Sequence, residues 1–379
     1  MATVSIVQDM AYPLRIYFCA WPVAGVRTQY ENVRSVATEA GDLDVQYVEV
    51  SPYKAGGLIE RLPLLGNHTR GSLRSFVSTW PLFTARGIDA IWTQVDTPLF
   101  PYLATRARLA GIPYVISTDA TTAQVESFAE YELGDEQHPS LKHRLRDCIA
   151  AYCYQHAAYV LPWSRWAASA IMHQFHIPEQ RIRVVPPGVD LRAWPARETV
   201  QRRAPDALPR LLFVGGDFAR KGGPLLLDVF RASLGGRCEL HLVTKEPLEN
   251  EPGVFVYRDL GPNDPRLHHL YETADALVLP TRADCFSLAS IEAMATGIPV
   301  ITCGVGGIPE IVENGASGWL VPVGDGAALY QAIDALLANP TQAEAMGQRG
   351  RAIVEQRFDA AKNTRTAFEL LRSAYSQRK

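Results

Sequence analysis

The sequence predicts an α/β protein with parallel sheets whose faces are covered by helices. Short apolar runs bounded by Gly, Pro and Asp alternate with longer segments of helical character, which is typical of parallel strands joined by crossover helices. The chain has 379 residues, of which 47% are hydrophobic, and this length favours two domains of ordinary size. We therefore expect two sheets, one in each half of the chain.

Each half contains short apolar runs of strand length that end at turn residues. In the first half the predicted strands are residues 14–21, 45–50, 90–93, 114–117, 159–161 and 182–185. In the second half they are residues 210–214, 239–243, 254–257, 276–279, 300–302 and 318–321.

The segment 185–195 interrupts this alternation with three prolines and a glycine, and the charged stretch 196–210 follows it. Such a segment favours a crossing between domains. The sequence therefore predicts one domain over residues 1–187 and a second over residues 188–357. After Arg357, apolar residues recur at helical spacing, which predicts a closing helix within 358–379 that packs on one of the two domains.

Composition argues against several classes of protein. The 37 basic and 40 acidic side chains give a net charge of −3, and the basic residues form no single block, so nucleic-acid binding is not expected. No apolar stretch approaches the ~18 residues of a membrane span, and the first residues lack a signal-peptide pattern, so we expect a cytoplasmic protein. The histidines lack metal-binding spacing, and the six cysteines form no CxxC pair and are expected to be reduced core thiols.

The segment 280–302 runs from a strand end through an acidic loop into a helix and the next strand. It carries Asp284 and Glu292 on either side of the helix start, where backbone N–H groups are unpaired and the helix dipole is positive. A phosphate fits between two such acids, and eight positions span at most roughly 12 Å at helical rise. Each acid alone is more often a capping, turn or solvated helix residue, but the combination predicts a nucleotide-sugar site.

Two further glycine-rich segments follow predicted strands. The loop 215–223 carries Arg220 and Lys221 between a strand and a helix, where backbone and cations together suit a diphosphate. It is neither a Walker loop nor a GxGxxG fingerprint. The segment 305–310 ends in Glu310, which the dipole of its own helix explains adequately, although it stays a weak candidate for the site.

The first half offers weaker candidates. Gly25 and Arg27 follow the first predicted strand, and Asp119 follows the fourth. Ligands of open parallel sheets lie outside the carboxyl ends of strands, so these residues are expected to face a cleft. Gly25 is a candidate contact to the nucleotide-sugar. A role as an ordinary turn or capping residue is an equal alternative for each of them.

These segments together resemble the retaining glycosyltransferases of family 4. That family has the GT-B fold, in which two Rossmann-like domains face each other across a cleft. The resemblance is best over residues 159–324 and only general over residues 1–158. It is carried by Ser164-Arg-Trp, residues 184–190, the loop 215–222, residues 274–280, the acidic pair, Gly306-Gly-Ile-Pro-Glu310 and residues 318–322. It implies an acceptor-side N-terminal domain, joined by the closing helix 358–379, and a donor-side second domain.

The resemblance also implies roles for the residues around the acidic pair. The family motif Glu-x7-Glu stands here as Asp284-x7-Glu292, with the first acid shortened. By resemblance, Glu292 holds the ribose of the nucleotide, and Asp284 contacts the transferred sugar as a catalytic residue. The N–H groups of Phe286, Ser287 and Leu288 approach the diphosphate.

The family's remaining donor and catalytic residues match less directly. Lys221 fits the family's lysine, whereas ungapped counting places Gly216 at the position of its arginine, for which Arg220 is the expected substitute. The family tends to carry a histidine after the fourth strand of the first domain. This chain has Asp119 there, which becomes the second catalytic candidate.

The resemblance implies transfer of a sugar from a nucleotide-sugar, most often a UDP-sugar, to an acceptor hydroxyl in polysaccharide or glycoconjugate biosynthesis, with retention of configuration. No metal and no cofactor is expected, because the nucleotide-sugar is a co-substrate. The acceptor, whether glycan, lipid-linked or small molecule, is left open. The alternatives are a GT-B nucleotide-sugar epimerase and a non-catalytic nucleotide-sugar-binding protein.

Peripheral membrane contact is a further expectation for the region 61–86. It is basic and apolar, and it includes Arg70, Arg74, Phe76 and Trp80. An ordinary amphipathic surface helix is the alternative.

Overall fold

The computed structural model describes residues 13–21, 24–50, 57–61, 67–94, 100–128, 141–196, 207–261 and 264–378. These residues form two separate parallel sheets, one of five strands and one of six. The α/β class with two Rossmann-like domains is therefore confirmed. The first twelve residues and most of the charged stretch after residue 196 lie outside the described residues.

The first sheet has the strand order β2-β1-β3-β4-β5. Its strands are Leu14–Ala20 (β1), Leu43–Glu49 (β2), Ala90–Gln94 (β3), Tyr114–Thr118 (β4) and Tyr159–Pro162 (β5). The helices of this half are Ala24–Glu39 (α1), Asn67–Thr84 (α2), Phe100–Leu109 (α3), Thr122–Glu126 (α4), Leu141–His156 (α5) and Arg165–Phe175 (α6). The central strands β3 and β4 are buried along their whole length, as their apolar runs predict.

The sixth strand predicted for this half, at 182–185, is wrong. Ile182 forms only an isolated bridge with Val160 of β5, although the N–H groups of Arg183 and Val185 also donate to carbonyls of β5. Residues 186 and 187 are prolines, which have no N–H to donate, so the pairing stops there.

The second sheet has the strand order β11-β10-β9-β6-β7-β8. Its strands are Arg210–Val214 (β6), Glu239–Val243 (β7), Val254–Tyr257 (β8), Ala276–Leu279 (β9), Val300–Cys303 (β10) and Gly318–Val321 (β11). The helices are Gly223–Val229 (α7), which continues into a π turn at Phe230–Leu234, Pro265–Thr273 (α8), Leu288–Thr296 (α9), Gly326–Ala338 (α10) and Pro340–Arg357 (α11). All six predicted strands of this half are confirmed.

The closing helix, Ala360–Ser376 (α12), packs on the first sheet although it follows the second domain in the chain. Ala367, Phe368 and Leu371 are buried in the core that also holds β1, and the Phe368 ring meets Trp92 of β3 edge-on with centroids 5.5 Å apart. The chain therefore crosses between the two domains twice.

The two crossings are bonded to each other. The N–H of Val189 donates to the carbonyl of Phe358 at 3.0 Å, and the N–H of Ala360 donates to the carbonyl of Val189 at 3.1 Å. A Cβ at Gly188 would lie 1.9 Å from the Phe358 oxygen, so only glycine allows this approach. The predicted domain boundary at 187/188 remains a prediction and lies at this joint.

Helix α2 covers most of the region expected to contact a membrane. Arg74 is only 8% exposed, pairs with Glu60 at 2.6 Å and lies over the ring of Trp21. It therefore faces protein, and its assignment to a lipid-binding surface is wrong. Trp80 is half exposed and contacts Phe76. Within the described ranges, the length and apolar character needed to cross a bilayer do not occur together in any helix.

Candidate active site

The candidate site residues lie on four loops at the carboxyl ends of parallel strands. Asp119 follows β4 of the first sheet, whereas Lys221, Asp284 and Gly306 follow β6, β9 and β10 of the second. Crevices outside the carboxyl ends of strands are the usual ligand sites of such sheets.

Helix α9 begins and ends as its sequence predicts. The Ser287 hydroxyl caps it by accepting from the N–H of Ser290, and Gly297 ends it in the left-handed conformation. Leu288, Ile291 and most of the other apolar positions of α9 are buried. A polar cap at one end and a glycine at the other fix the register of the helix.

The start of α9 keeps unpaired donors. The N–H groups of Phe286, Ser287 and Leu288 have no acceptor among the described residues. Three neighbouring N–H groups at the positive end of a helix form an arrangement suited to a phosphate.

Glu292 lies one turn inside α9. The hydroxyl of Tyr271, a buried residue of α8, donates to its Oε2 at 2.8 Å, whereas no described residue donates to Oε1. Burial raises the pKa of Glu292, and the Tyr271 bond partly opposes this. The Tyr271 ring is held edge-on against Trp194 of the crossing segment. The sequence analysis missed Tyr271, because a tyrosine in an apolar helix carries no local signal of its partner.

Asp284 is 6% exposed and is paired with Lys221, whose ammonium donates to Oδ2. Both side chains of the pair are largely buried. The structure thus brings together two residues that the sequence placed in separate segments. A diphosphate bound nearby would compete with Asp284 for the Lys221 ammonium.

Arg220 and Gly216 were both considered for the position of the family's arginine. The guanidinium of Arg220 pairs with Asp217 at 3.0 Å and donates to the Ala283 carbonyl at 2.6 Å, so it ties the glycine-rich loop to the acidic loop. Gly216 is exposed, and a Cβ there would meet no atom within 4 Å. Donor contacts by either residue remain predictions.

Asp119 faces the acidic loop from the other domain. Burial raises its pKa to about 6, the charge of Asp284 adds to this, and hydrogen bonds from its own N–H and that of Ala120 oppose it. Burial also raises the pKa of the Cys285 thiol, and the charges of Asp119 and Asp284 contribute. The two candidate catalytic carboxylates are therefore close enough to interact across the domains.

Gly25 and Arg27 lie in the first turn of α1, which begins at Ala24, and not in a loop after β1. Arg27 is exposed. The donor contact predicted for Gly25 remains a prediction.

The turn after β10 supports the acidic loop. Gly306 has φ of 55° and packs so closely on the Asp284 carbonyl that a Cβ would lie 2.1 Å from its oxygen. The N–H of Gly307 donates to the Cys285 carbonyl at 2.9 Å. The acidic loop is therefore fixed by the backbone of a neighbouring loop.

Glu310 ends a 3-10 turn at Ile308–Glu310, and its carboxylate reaches the first domain. Oε2 accepts from the N–H of Arg165 at 2.9 Å and Oε1 from the N–H of Trp166 at 2.8 Å, both at the start of α6. The interpretation that the dipole of its own helix explains Glu310 is therefore wrong. The helix in question lies about 145 residues earlier in the chain, so local sequence gives no sign of the contact.

None of the six cysteines forms a disulfide; five of them are buried, whereas Cys148 is exposed and its expected core position is wrong. No cluster of three or more His, Cys, Asp or Glu side chains with the geometry for a metal ion occurs within the described ranges.

A cavity lined by arginine side chains lies away from these loops. This cavity of about 590 Å³ is lined by Arg86, Arg106 and Arg378 among others. Residues 85–89 of its lining precede β3 and residues 106–112 precede β4, whereas Tyr375 and Arg378 lie at and just after the end of the closing helix. The cavity therefore lies at the amino ends of these strands, opposite to the end that carries Asp119. We call it the arginine cavity.

Comparison with known proteins places both halves of the chain in related families. A sequence profile described as glycosyl transferases group 1 matches residues 208–339, and one described as glycosyl transferase 4-like domain matches residues 24–188. Together the two matches include all four loops of the candidate site.

Curated relatives match over part of their length. The chain is 32% identical to an MMP alpha-(1->4)-mannosyltransferase of Mycolicibacterium hassiacum, over 51% of this chain and 48% of that protein. It is 28% identical to a D-inositol 3-phosphate glycosyltransferase of Thermobifida fusca, over 64% of this chain and 60% of that protein. The chain thus spans about half the length of these relatives.

Solved structures share the fold. Sucrose-phosphate synthase of Thermosynechococcus elongatus superposes with a TM-score of 0.76 at 20% identity, over 96% of this chain and all of that one. Anabaena HepE in complex with UDP-glucose superposes with a TM-score of 0.68 at 16% identity, over 95% of this chain and all of that one. At these identities the likeness establishes the two-domain architecture alone.

Proposed function

Because this chain belongs to the group 1 glycosyl transferases with a glycosyl transferase 4-like first domain, we propose that it transfers a sugar from a nucleotide-sugar to an acceptor hydroxyl, with retention of configuration. The observation that carries this proposal is the start of α9, where the unpaired N–H groups of residues 286–288 lie between Asp284 and Glu292. N–H groups flanked by two carboxylates in this way suit a ligand whose anionic centre has hydroxyl groups on both sides.

Each part of the donor then has a partner. The diphosphate accepts from the N–H groups at the start of α9 and from Lys221, which leaves Asp284 as it binds. Glu292 accepts from the ribose hydroxyls, for which Oε1 is available while Tyr271 holds Oε2. Asp284, released from Lys221, accepts from a hydroxyl of the transferred sugar.

The chemistry requires stabilisation of the leaving phosphate. Fixed N–H groups and an ammonium already in place oppose the charge that develops there, which is usually the largest contribution of such sites. Attack on the face from which the phosphate leaves lets a phosphate oxygen take the acceptor proton, so no protein nucleophile, metal or cofactor enters the proposal. Asp119, with its raised pKa, is placed to orient a hydroxyl of the sugar or acceptor.

The donor is proposed to be a UDP-sugar, since a solved protein of the same fold was crystallised with UDP-glucose. The acceptor is proposed to bind the first domain, because the donor contacts come from the second. Curated relatives are named for transfer to quite different acceptors, so the acceptor class is left to experiment.

A thermal-shift panel of UDP-, GDP- and ADP-sugars tests this proposal, because a ligand that binds only the folded protein raises Tm. We expect a UDP-sugar to raise Tm most and to yield UDP and a glycoside when acceptors are supplied. Absence of any shift contradicts the proposal. Release of an altered donor or free sugar favours an epimerase, and binding without turnover over a broad acceptor panel favours a binding protein.

A further inference from the structure

The candidate site is assembled from two domains that are covalently joined only through the paired crossings at Gly188 and Phe358. A joint of two neighbouring segments permits rotation of one domain against the other. Close to the site, the charges of Asp119 and Asp284 repel each other across the domains. Contacts between the two domains beside the site therefore decide whether these two carboxylates face each other.

Glu310 supplies such a contact. Its two carboxylate oxygens accept from two N–H groups at the start of α6, and the local cap Ser164 satisfies only the next one, that of Ala167. Helix starts are ordinarily capped by a residue next to them in the chain. Here a carboxylate of the second domain completes the cap, and charge-assisted bonds to the positive end of a helix are among the stronger polar contacts.

The same turn also carries the acidic loop. Gly307 donates to the Cys285 carbonyl, and a Cβ built on it would lie 3.0 Å from the Cβ of Ser164. Trp163, the residue before Ser164, meets the Phe286 ring edge-on at 5.8 Å. The acidic loop, the Glu310 turn and the start of α6 therefore form one continuous contact from the donor side to the acceptor side.

We propose that Glu310 is a positioning residue that holds the two domains in the arrangement in which Asp119 faces Asp284. This inference rests on the proposed function, since it assigns the contact a part in transfer. The UDP contacts proposed for the start of α9, Lys221 and Glu292 all lie in the second domain, so UDP binding is expected to depend little on Glu310. Turnover requires both domains in this arrangement, so we expect turnover to depend on Glu310.

The test compares Glu310→Ala and Glu310→Gln with the full-length wild type. A glutamine keeps one oxygen as an acceptor but replaces the other by an NH2 group, which cannot accept from an N–H, so it is expected to lie between wild type and alanine. Glu313→Ala is the matched control. That carboxylate also makes a two-bonded contact three residues further along, but to Arg349 of its own domain.

Three quantities are measured: UDP affinity by calorimetry, release of UDP from UDP-glucose or the active donor of the panel, and the radius of gyration by X-ray scattering. A compact chain of this length has a radius of about 21 Å. For Glu310→Ala we expect UDP affinity within about twofold of wild type, turnover lowered about tenfold or more, and a larger radius, corresponding to loss of about 1.4 kcal/mol of positioning. The control should match wild type in all three.

Equal radius and equal turnover in Glu310→Ala overturn the proposal. A fall in UDP affinity as large as the fall in turnover also overturns it, since Glu310 would then act on the donor site or on folding. If wild type neither binds nor turns over any nucleotide-sugar, the proposed function fails. An unchanged radius in the variant would then still refute the domain contact, and a larger one would support it.

Discussion

Replacing Asp119 by asparagine tests whether the buried charge of this carboxylate lowers the stability of the folded protein where the two domains meet. The folded protein raises the pKa of Asp119 from 3.8 to about 6 by burial and by the charge of Asp284. A difference of about two units corresponds to about 3 kcal/mol at 1.36 kcal/mol per unit. The amide has nearly the same shape and still accepts the two backbone hydrogen bonds.

The sign of the effect depends on pH. Below about pH 4 the carboxyl is protonated in both the folded and the unfolded chain, so its burial costs no charge. Between about pH 4 and pH 6 the unfolded chain ionises first, and the folded state loses stability as the pH rises. Above about pH 6 both states are ionised, and the folded state carries the full cost. Asparagine removes this cost, so the gain should be complete above about pH 6 and absent at about pH 3.

Thermal unfolding followed at several pH values measures this gain. For a domain of 150 to 250 residues, 1 kcal/mol shifts Tm by about 2–4 °C, so Asp119→Asn should raise Tm of the first domain by about 5 °C or more at neutral pH and by no more than about 1 °C at about pH 3. The exposed acid Glu179 of the same domain provides the control Glu179→Gln, which should change Tm little at any pH. A shift that is equal at both pH values, or a loss of stability at neutral pH, refutes the reasoning.

Four other substitutions probe the donor side. Glu292→Ala should weaken UDP binding about tenfold or more in calorimetry, whereas Asp284→Ala should mainly slow transfer; wild-type affinity and rate in both variants contradict these roles. Tyr271→Phe removes the bond that lowers the pKa of Glu292, so the pH below which UDP affinity declines should move upward, and an unmoved profile argues against the contact. Gly306→Ala adds a Cβ 2.1 Å from the Asp284 carbonyl oxygen and should lower Tm and turnover. Gly324→Ala is the control, because Gly324 also has a positive φ but a Cβ there would meet no atom within 4 Å. Equal effects of the two substitutions would contradict the support of the acidic loop by Gly306.

Much of the fold was accessible from sequence because its signals are local. All six strands of the second sheet and five of the first follow from apolar runs bounded by turn residues. The sixth, at 182–185, fails because the following prolines end the pairing after an isolated bridge. The limits of α9 were equally readable, since Ser287 and Gly297 act on their immediate neighbours.

The site was only partly predictable, because its remaining features depend on tertiary contacts. Nothing near Tyr271 in the sequence points to Glu292, and nothing near Glu310 points to a helix of the other domain. The pairing of Lys221 with Asp284 joins loops 63 residues apart. Arg74 illustrates the opposite error, since a basic residue in an apolar segment suggested a surface whereas Glu60 pairs with it in the interior.

A crystal structure of the protein with UDP tests the central claim most directly. We expect the diphosphate within hydrogen-bond distance of the N–H groups of Phe286, Ser287 and Leu288. Lys221 should have turned from Asp284 to the phosphate, and the ribose hydroxyls should donate to Glu292. UDP bound elsewhere, for example in the arginine cavity, with the start of α9 making no contact to it, contradicts the account.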